Sequence, residues 1–110
     1  MTRRDRPDVP EHVVRRIGQV LNRLPECGED AAWVGVHWQV RSATVAHVFG
    51  GEDQLFRVVF RAGWGRNVVG LVIDDHTDWD ELAELLTDSY CVQAPKELAA
   101  RVPRPHDAPS

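Results

Sequence analysis

Residues 78–102 read DWDELAELLTDSYCVQAPKELAARV, and the reading of this stretch decides the fold. Asp78 stands where a helix would begin, with Glu81 three places on. That is the reciprocal pair able to satisfy two of the backbone N–H groups a helix start leaves over. Trp79, Leu82, Ala83, Leu86 and Tyr90 then recur at spacings of three and four, which lays them on one apolar stripe. Asp80, Glu81, Glu84 and Asp88 fall mainly off it and face water. The helix is expected to break over residues 92–94. Pro95 suits a first helical position, and residues 96–102 predict a second short helix with Leu98 and Val102 inward. Two helices with an apolar side need a surface to lie on.

Upstream, the period changes to two, and that supplies the surface. Over residues 33–40, Val34, Val36, Trp38 and Val40 alternate with Trp33, Gly35, His37 and Gln39. Arg41, Ser42 and Ala43 turn the chain into a second strand over residues 44–49, with Val45, His47 and Phe49 opposite Thr44, Ala46 and Val48. The turn signal GGED follows at 50–53. In residues 55–61, Phe56, Val58 and Phe60 face inward while Arg57, Val59 and Arg61 share the other face. After a loop at 62–67, the nearly unbroken apolar run at 68–73 reads as a buried central strand.

At the front, Asp8 and Glu11 bracket Pro10 as a second capping pair, opening a helix to about Leu24. Its inner face is Val13, Val14, Ile17, Val20, Leu21 and Leu24. The polar segment 26–32 reads as a loop. The expectation is therefore a two-layer α+β domain over residues 10–102: an N-terminal helix, an antiparallel sheet of about four strands and two C-terminal helices. Residues 1–9 read as a disordered arm and 103–110 as a flexible tail.

Length and charge narrow the field. A chain of 110 residues supports one core. No apolar run approaches the roughly 20 residues of a membrane span, and the charged N-terminus leads into no apolar segment of the kind a secretory signal has. Cys27 and Cys91 match no metal or redox spacing, so two reduced thiols in a cytoplasmic protein are expected. The net charge of −4 hides a gradient: +3 over residues 1–25, −1 over 26–73 and −6 over 74–110.

The stretch WDELAELLTDSYCVQAPKELA (79–99), with GWGRNVVGLVID (63–74) before it, closely resembles the C-terminal signature of the MmcQ/YjbR-like family. The most specific part is Trp79-Asp80-Glu81-Leu82 with Tyr90 and Ala94-Pro95-Lys96. The resemblance extends more weakly over roughly residues 10–102. It implies a small α+β fold with an antiparallel sheet and a DNA-binding role, the family being described as DNA-binding on a proposed double-wing shape. Between Phe49 and Gly63 this chain departs from the pattern: family members have a longer segment with another helix, which only about a dozen residues replace here.

Each candidate site has a plainer role open to the same residues. Arg57 and Arg61 on one strand face, with Trp64 and Arg66 in the following loop and Lys96 further on, can neutralise phosphates and stack on a base. The same arginines could equally be a solvated outer sheet face, and net −4 argues for weak DNA binding at most. Asp74, Asp75, His76, Asp78 and Asp80 superficially suggest a cation loop. They lack its glycine and terminal Glu, and helix-start acids explain them through the helix dipole. His37 and His47 are expected across from one another on paired strands, but no nucleophile, base and oxyanion donors come together. No catalytic or metal residue and no cofactor is assigned. Trp33 and Trp38 lie an odd number apart, so one is expected to be exposed and to mark a protein partner or a homodimer contact, as is an edge strand. No membrane contact is expected.

Overall fold

The computed structural model describes residues 6–62 and 66–103, and it is α+β in two layers. Helix α1 (Glu11–Leu21) leads into five strands: β1 (Cys27–Ala31), β2 (Val36–Val40), β3 (Ala43–Gly50), β4 (Phe56–Ala62) and β5 (Asn67–Ile73). Helices α2 (Trp79–Gln93) and α3 (Lys96–Ala99) close the described chain. All neighbouring strands are antiparallel and lie in chain order, β1-β2-β3-β4-β5. Such a meander alternates its turns between two ends. The upper end carries the β2–β3 turn and the β4–β5 connection. The lower end carries the β1–β2 and β3–β4 turns and the chain leading to α2.

The inner face of the sheet holds Trp38, Val40, Ala46, Val48, Val58, Phe60 and Ile73, all buried against Ile17 and Leu21 of α1 and Leu82, Leu86 and Tyr90 of α2. The alternation read in β4 is met, with Phe56, Val58 and Phe60 inward and Arg57, Val59 and Arg61 outward. In β3 strict alternation fails. The ladder pairs Trp38 with Ala46 and then Gln39 with Thr44, so Val45 is an extra residue, and both Val45 and Ala46 are buried. A bulge of this kind lets one strand put two consecutive residues toward the core.

Ser89 of α2 answers that bulge. Its Oγ accepts the Arg61 N–H at 2.9 Å and donates to the Val45 carbonyl at 2.7 Å. The ladder between β3 and β4 ends at Ala46 and Phe60, and the hydroxyl supplies the next rung in place of a direct bond. Tyr90 beside it donates to the Pro25 carbonyl at 2.6 Å, tying α2 to the segment that enters β1.

Several expectations need correction. The Asp8–Glu11 capping pair does not form: Pro10 is the N-cap residue with no side-chain cap, and Glu11 instead pairs with Arg15 one turn on. The helix also ends at Leu21, where Asn22 uses its side chain to accept the Trp38 Nε1–H at 3.0 Å. Residues 27–31 are a strand and not a loop. Their acids and glycine suit an exposed edge, with Cys27 alone buried. The first sheet strand of the sequence reading shortens to β2, because residues 32–35 form a turn in which Gly35 takes φ +75°. The run 68–73 is not a central strand but the outer edge of the sheet. At the start of α2 the Glu81 N–H does bond the Asp78 carboxylate, at 3.1 Å. Leu98 of α3 is buried and Val102 partly so.

Candidate functional site

Among the described residues no helix or strand covers the outer face of the sheet, which bears His37, Gln39, His47, Phe49, Arg57, Val59, Arg61, Val68 and Val72, with the Arg6 guanidinium 6.0 Å over the Phe49 ring. His37 and His47 do meet across β2 and β3, their rings edge to face at 6.4 Å, and His47 also contacts the Val34 carbonyl through Nε2. Phe49 packs on His47 at 5.1 Å. The rings therefore fill one patch of the face, and each imidazole has a structural neighbour.

The residues singled out for phosphate contact do not share one surface. Arg57 lies at the lower end of β4, where its guanidinium grips Asp53 through two bonds of 2.7 and 3.1 Å. That pair holds the Asp53 carboxyl down at about 2, with the Leu55 N–H adding to the effect. Arg61 lies near the upper end of the same strand, its backbone N–H held by Ser89. Arg66 is exposed in the turn before β5, also at the upper end. Lys96 opens α3 and is exposed beside the same end, in the helix layer. Trp64 lies outside the described residues.

Two further residues, Arg41 and Arg101, join this upper end. Arg41 occupies the β2–β3 turn with φ 55° and binds Glu26 through Nε and an Nη, both at 3.1 Å, with Glu97 at 4.0 Å. Its hydrogen bonds, and then its charge, draw the Glu26 carboxyl below the usual range, and Arg101 contributes at longer reach. Among the described residues, Arg41, Arg61, Arg66, Lys96 and Arg101 thus gather at the upper end. Glu26 and Glu97 lie among them, while Glu52, Asp53, Asp74, Asp75, Asp78 and Asp80 lie at the lower one. The charge gradient was legible along the chain, but its sorting by ends needs the strand directions.

The two tryptophans offered as contact residues separate cleanly. Trp33, in the β1–β2 turn, is 100% exposed, whereas Trp38 is 0% exposed in the core and bonded to Asn22, so it is withdrawn as an interface residue. Trp79 is half-buried between the helices with the Arg16 guanidinium 4.7 Å over its ring. A groove of about 190 Å³ runs between β5 and α2, lined by Leu71, Ile73, Leu82 and Leu85 with Asp78 and Glu81 at its rim. That is smaller than the roughly 300–1,000 Å³ of typical ligand pockets. Among the described residues, no group of three or more His, Cys, Asp or Glu side chains is placed to hold a metal ion. No helix among them is long and apolar enough to cross a membrane. Burial pushes the Cys27 thiol up to about 11, which favours an inert, protonated group.

Comparison with family models, with curated proteins and with solved structures gives no match.

Proposed function

We propose that this protein is a non-enzymatic, cytoplasmic DNA-binding module that meets phosphates with its upper end. The observation that carries the reading is the gathering of Arg61, Arg66, Lys96 and Arg101 around the β2–β3 turn and the β4–β5 connection. The acids at the opposite end make the molecule dipolar, which orients it before contact despite a net charge of −4. The resemblance of residues 63–99 to the MmcQ/YjbR-like signature points the same way. Arg57 and Arg41 drop out of the contact set, because Asp53 and Glu26 already neutralise them.

Titrating duplex DNA binding against salt tests this. Each phosphate neutralised adds about 0.9 to the slope of log affinity on log salt. Arg61→Ala, Arg66→Ala and Lys96→Ala should each reduce that slope by about one, whereas Arg57→Ala should leave it unchanged. Absence of binding at low salt would overturn the reading.

A second reading is favoured by a separate observation. The open face sets Phe49, Val59 and Val72 between charged groups, with fully exposed Trp33 at the lower end. A protein partner would use that surface, and its binding would respond to Trp33→Ser and be indifferent to salt.

A further inference from the structure

The two edges of the sheet are built differently. β1 presents Glu29 and Asp30 to solvent, the kind of charged edge that resists pairing with another chain. β5 presents Asn-Val-Val-Gly-Leu-Val-Ile with no charge along it. Val68 is 58% exposed, Val72 41% and Leu71 38%. Leu71 points to the helix side, but α2 packs mainly over β3 and β4 and covers it only in part. An uncharged edge of seven residues invites another strand.

We propose that the occupant is a second copy of this chain, with β5 pairing antiparallel to β5 about a two-fold axis at Gly70. In that register Val68 lies against Val72 of the second copy on the outer face, and Val69 against Leu71 on the inner face. Just beyond the strand ends, Arg66 meets Asp74, twice by symmetry. Slipping by two residues loses this match, setting Arg66 against Val72 in one direction and Val68 against Asp74 in the other. Slipping by one turns the helices of the two copies to opposite faces. The self-complementary register is thus one that places the first charge beyond each end of β5, Arg66 and Asp74, opposite its counterpart, as an isologous interface requires.

Gly70 supports the same register independently. A Cβ there would lie 3.6 Å from the Val59 Cγ2, an ordinary contact, and no positive φ demands glycine. The fold of one chain therefore has no use for glycine at this point, where it weakens a strand. A glycine in a strand commonly marks close approach of another backbone, and Gly70 is where the two copies cross. Pairing alternates so that either set of outward backbone groups on β5 finds its mate in this register. The second copy's Val69 would also cover the groove that Leu71 shares with Leu82 and Leu85.

This inference shares only Arg66 with the basic end, so Gly70→Lys, which leaves Arg66 in place, separates its failure from that of DNA binding. Sedimentation equilibrium from micromolar to near-millimolar concentration should show the mass rising from 12.4 kDa toward twice that value. Gly70→Lys keeps every basic side chain and fits the monomer, yet sets two ammonium groups side by side at the axis. It should remain monomeric throughout with an unchanged melting point. Arg66→Asp and Asp74→Arg should each weaken the dimer about tenfold, and the two together should regain most of the loss. Asp74 Oδ1 also accepts the His76 N–H, so if Asp74→Arg unfolds, Gly70→Lys and Arg66→Asp decide the matter. A wild-type monomer at the highest concentration means that the edge awaits a different chain and overturns the proposal. So does a Gly70→Lys protein that still dimerises.

Discussion

Ser89→Ala removes a single oxygen and should destabilise the protein far more than its size suggests. In the native structure that oxygen serves two backbone groups that the bulge at Val45 has separated, the Val45 carbonyl and the Arg61 N–H. The residue is fully buried, so water does not replace the hydroxyl at the carbonyl. A buried polar group left without a partner costs about 1–3 kcal/mol. The Val45 carbonyl takes the middle of that range, and the half-buried Arg61 amide the lower end, for a total of about 2–3 kcal/mol. For a chain of this size that lowers the melting point by roughly 10 °C. Thr87→Ala is the matched comparison on the same helix. The Thr87 Oγ1 donates at 2.8 Å to the Ala83 carbonyl within α2, so its loss strands no sheet group, and the change should stay within about 0.5 kcal/mol. Urea unfolding followed by tryptophan fluorescence and circular dichroism measures both, with the slope expected unchanged. Equal effects at the two positions, or a Ser89→Ala loss under about 0.5 kcal/mol, would refute the view that the hydroxyl completes the ladder.

The remaining expectations follow from burial and charge. Trp38→Ala should cost about 3–5 kcal/mol, since it opens the core, while Trp33→Ala should stay within about 0.5 kcal/mol. The two can be compared in the same urea titration. Stability should fall in alkali, because burial raises both the Cys27 thiol, to about 11, and the Tyr90 phenol. Each is neutral when protonated, and its folded value lies above the unfolded one of about 8.5 or 10. The stability from keeping them neutral is therefore complete below those values and lost as pH climbs through the folded ones. Tyr90 is the one tyrosine of the chain, so tyrosinate absorbance reads it alone. Titration at the same pH in the native and urea-unfolded protein would contradict the burial argument.

Local patterns carried most of the architecture. The stripe of Leu82, Leu86 and Tyr90 and the alternation of Phe56, Val58 and Phe60 mark their buried faces unaided, because period alone decides them. Strand order is another matter. The apolar run of β5 resembles a central strand since every position is apolar, and nothing local says that only one side of it has a neighbour. β1 fails in the converse way, its acids and glycine hiding a strand at the other edge. Ser89 sits one place before Tyr90 and looks like a solvent-side hydroxyl until the bulge gives it two backbone partners. For the candidate site, Arg61, Arg66 and Lys96 were legible as cations, but their common end depends on strand direction. Arg57 lost its place to Asp53, four residues back across a turn whose shape the sequence does not spell out.

The DNA-binding and edge-pairing proposals constrain each other when taken together. Antiparallel pairing about Gly70 lays the upper end of one copy beside the lower end of the next, so the Arg66–Asp74 contacts are the near part of a wider match between basic and acidic ends. The two basic ends then point to opposite tips of a ten-stranded sheet, which a single short duplex cannot bridge. A dimer of this form should take up one short duplex per protomer, the two sites independent and each with a salt slope about one below that of the Gly70→Lys monomer, since the second copy's Asp74 then holds Arg66. Had the dimer placed both basic ends on one side, a single duplex would be shared and the slope would roughly double. Sedimentation of the complex with a labelled short duplex distinguishes the two arrangements. One duplex per dimer with a doubled slope would rule out the antiparallel edge even if the protein proves dimeric.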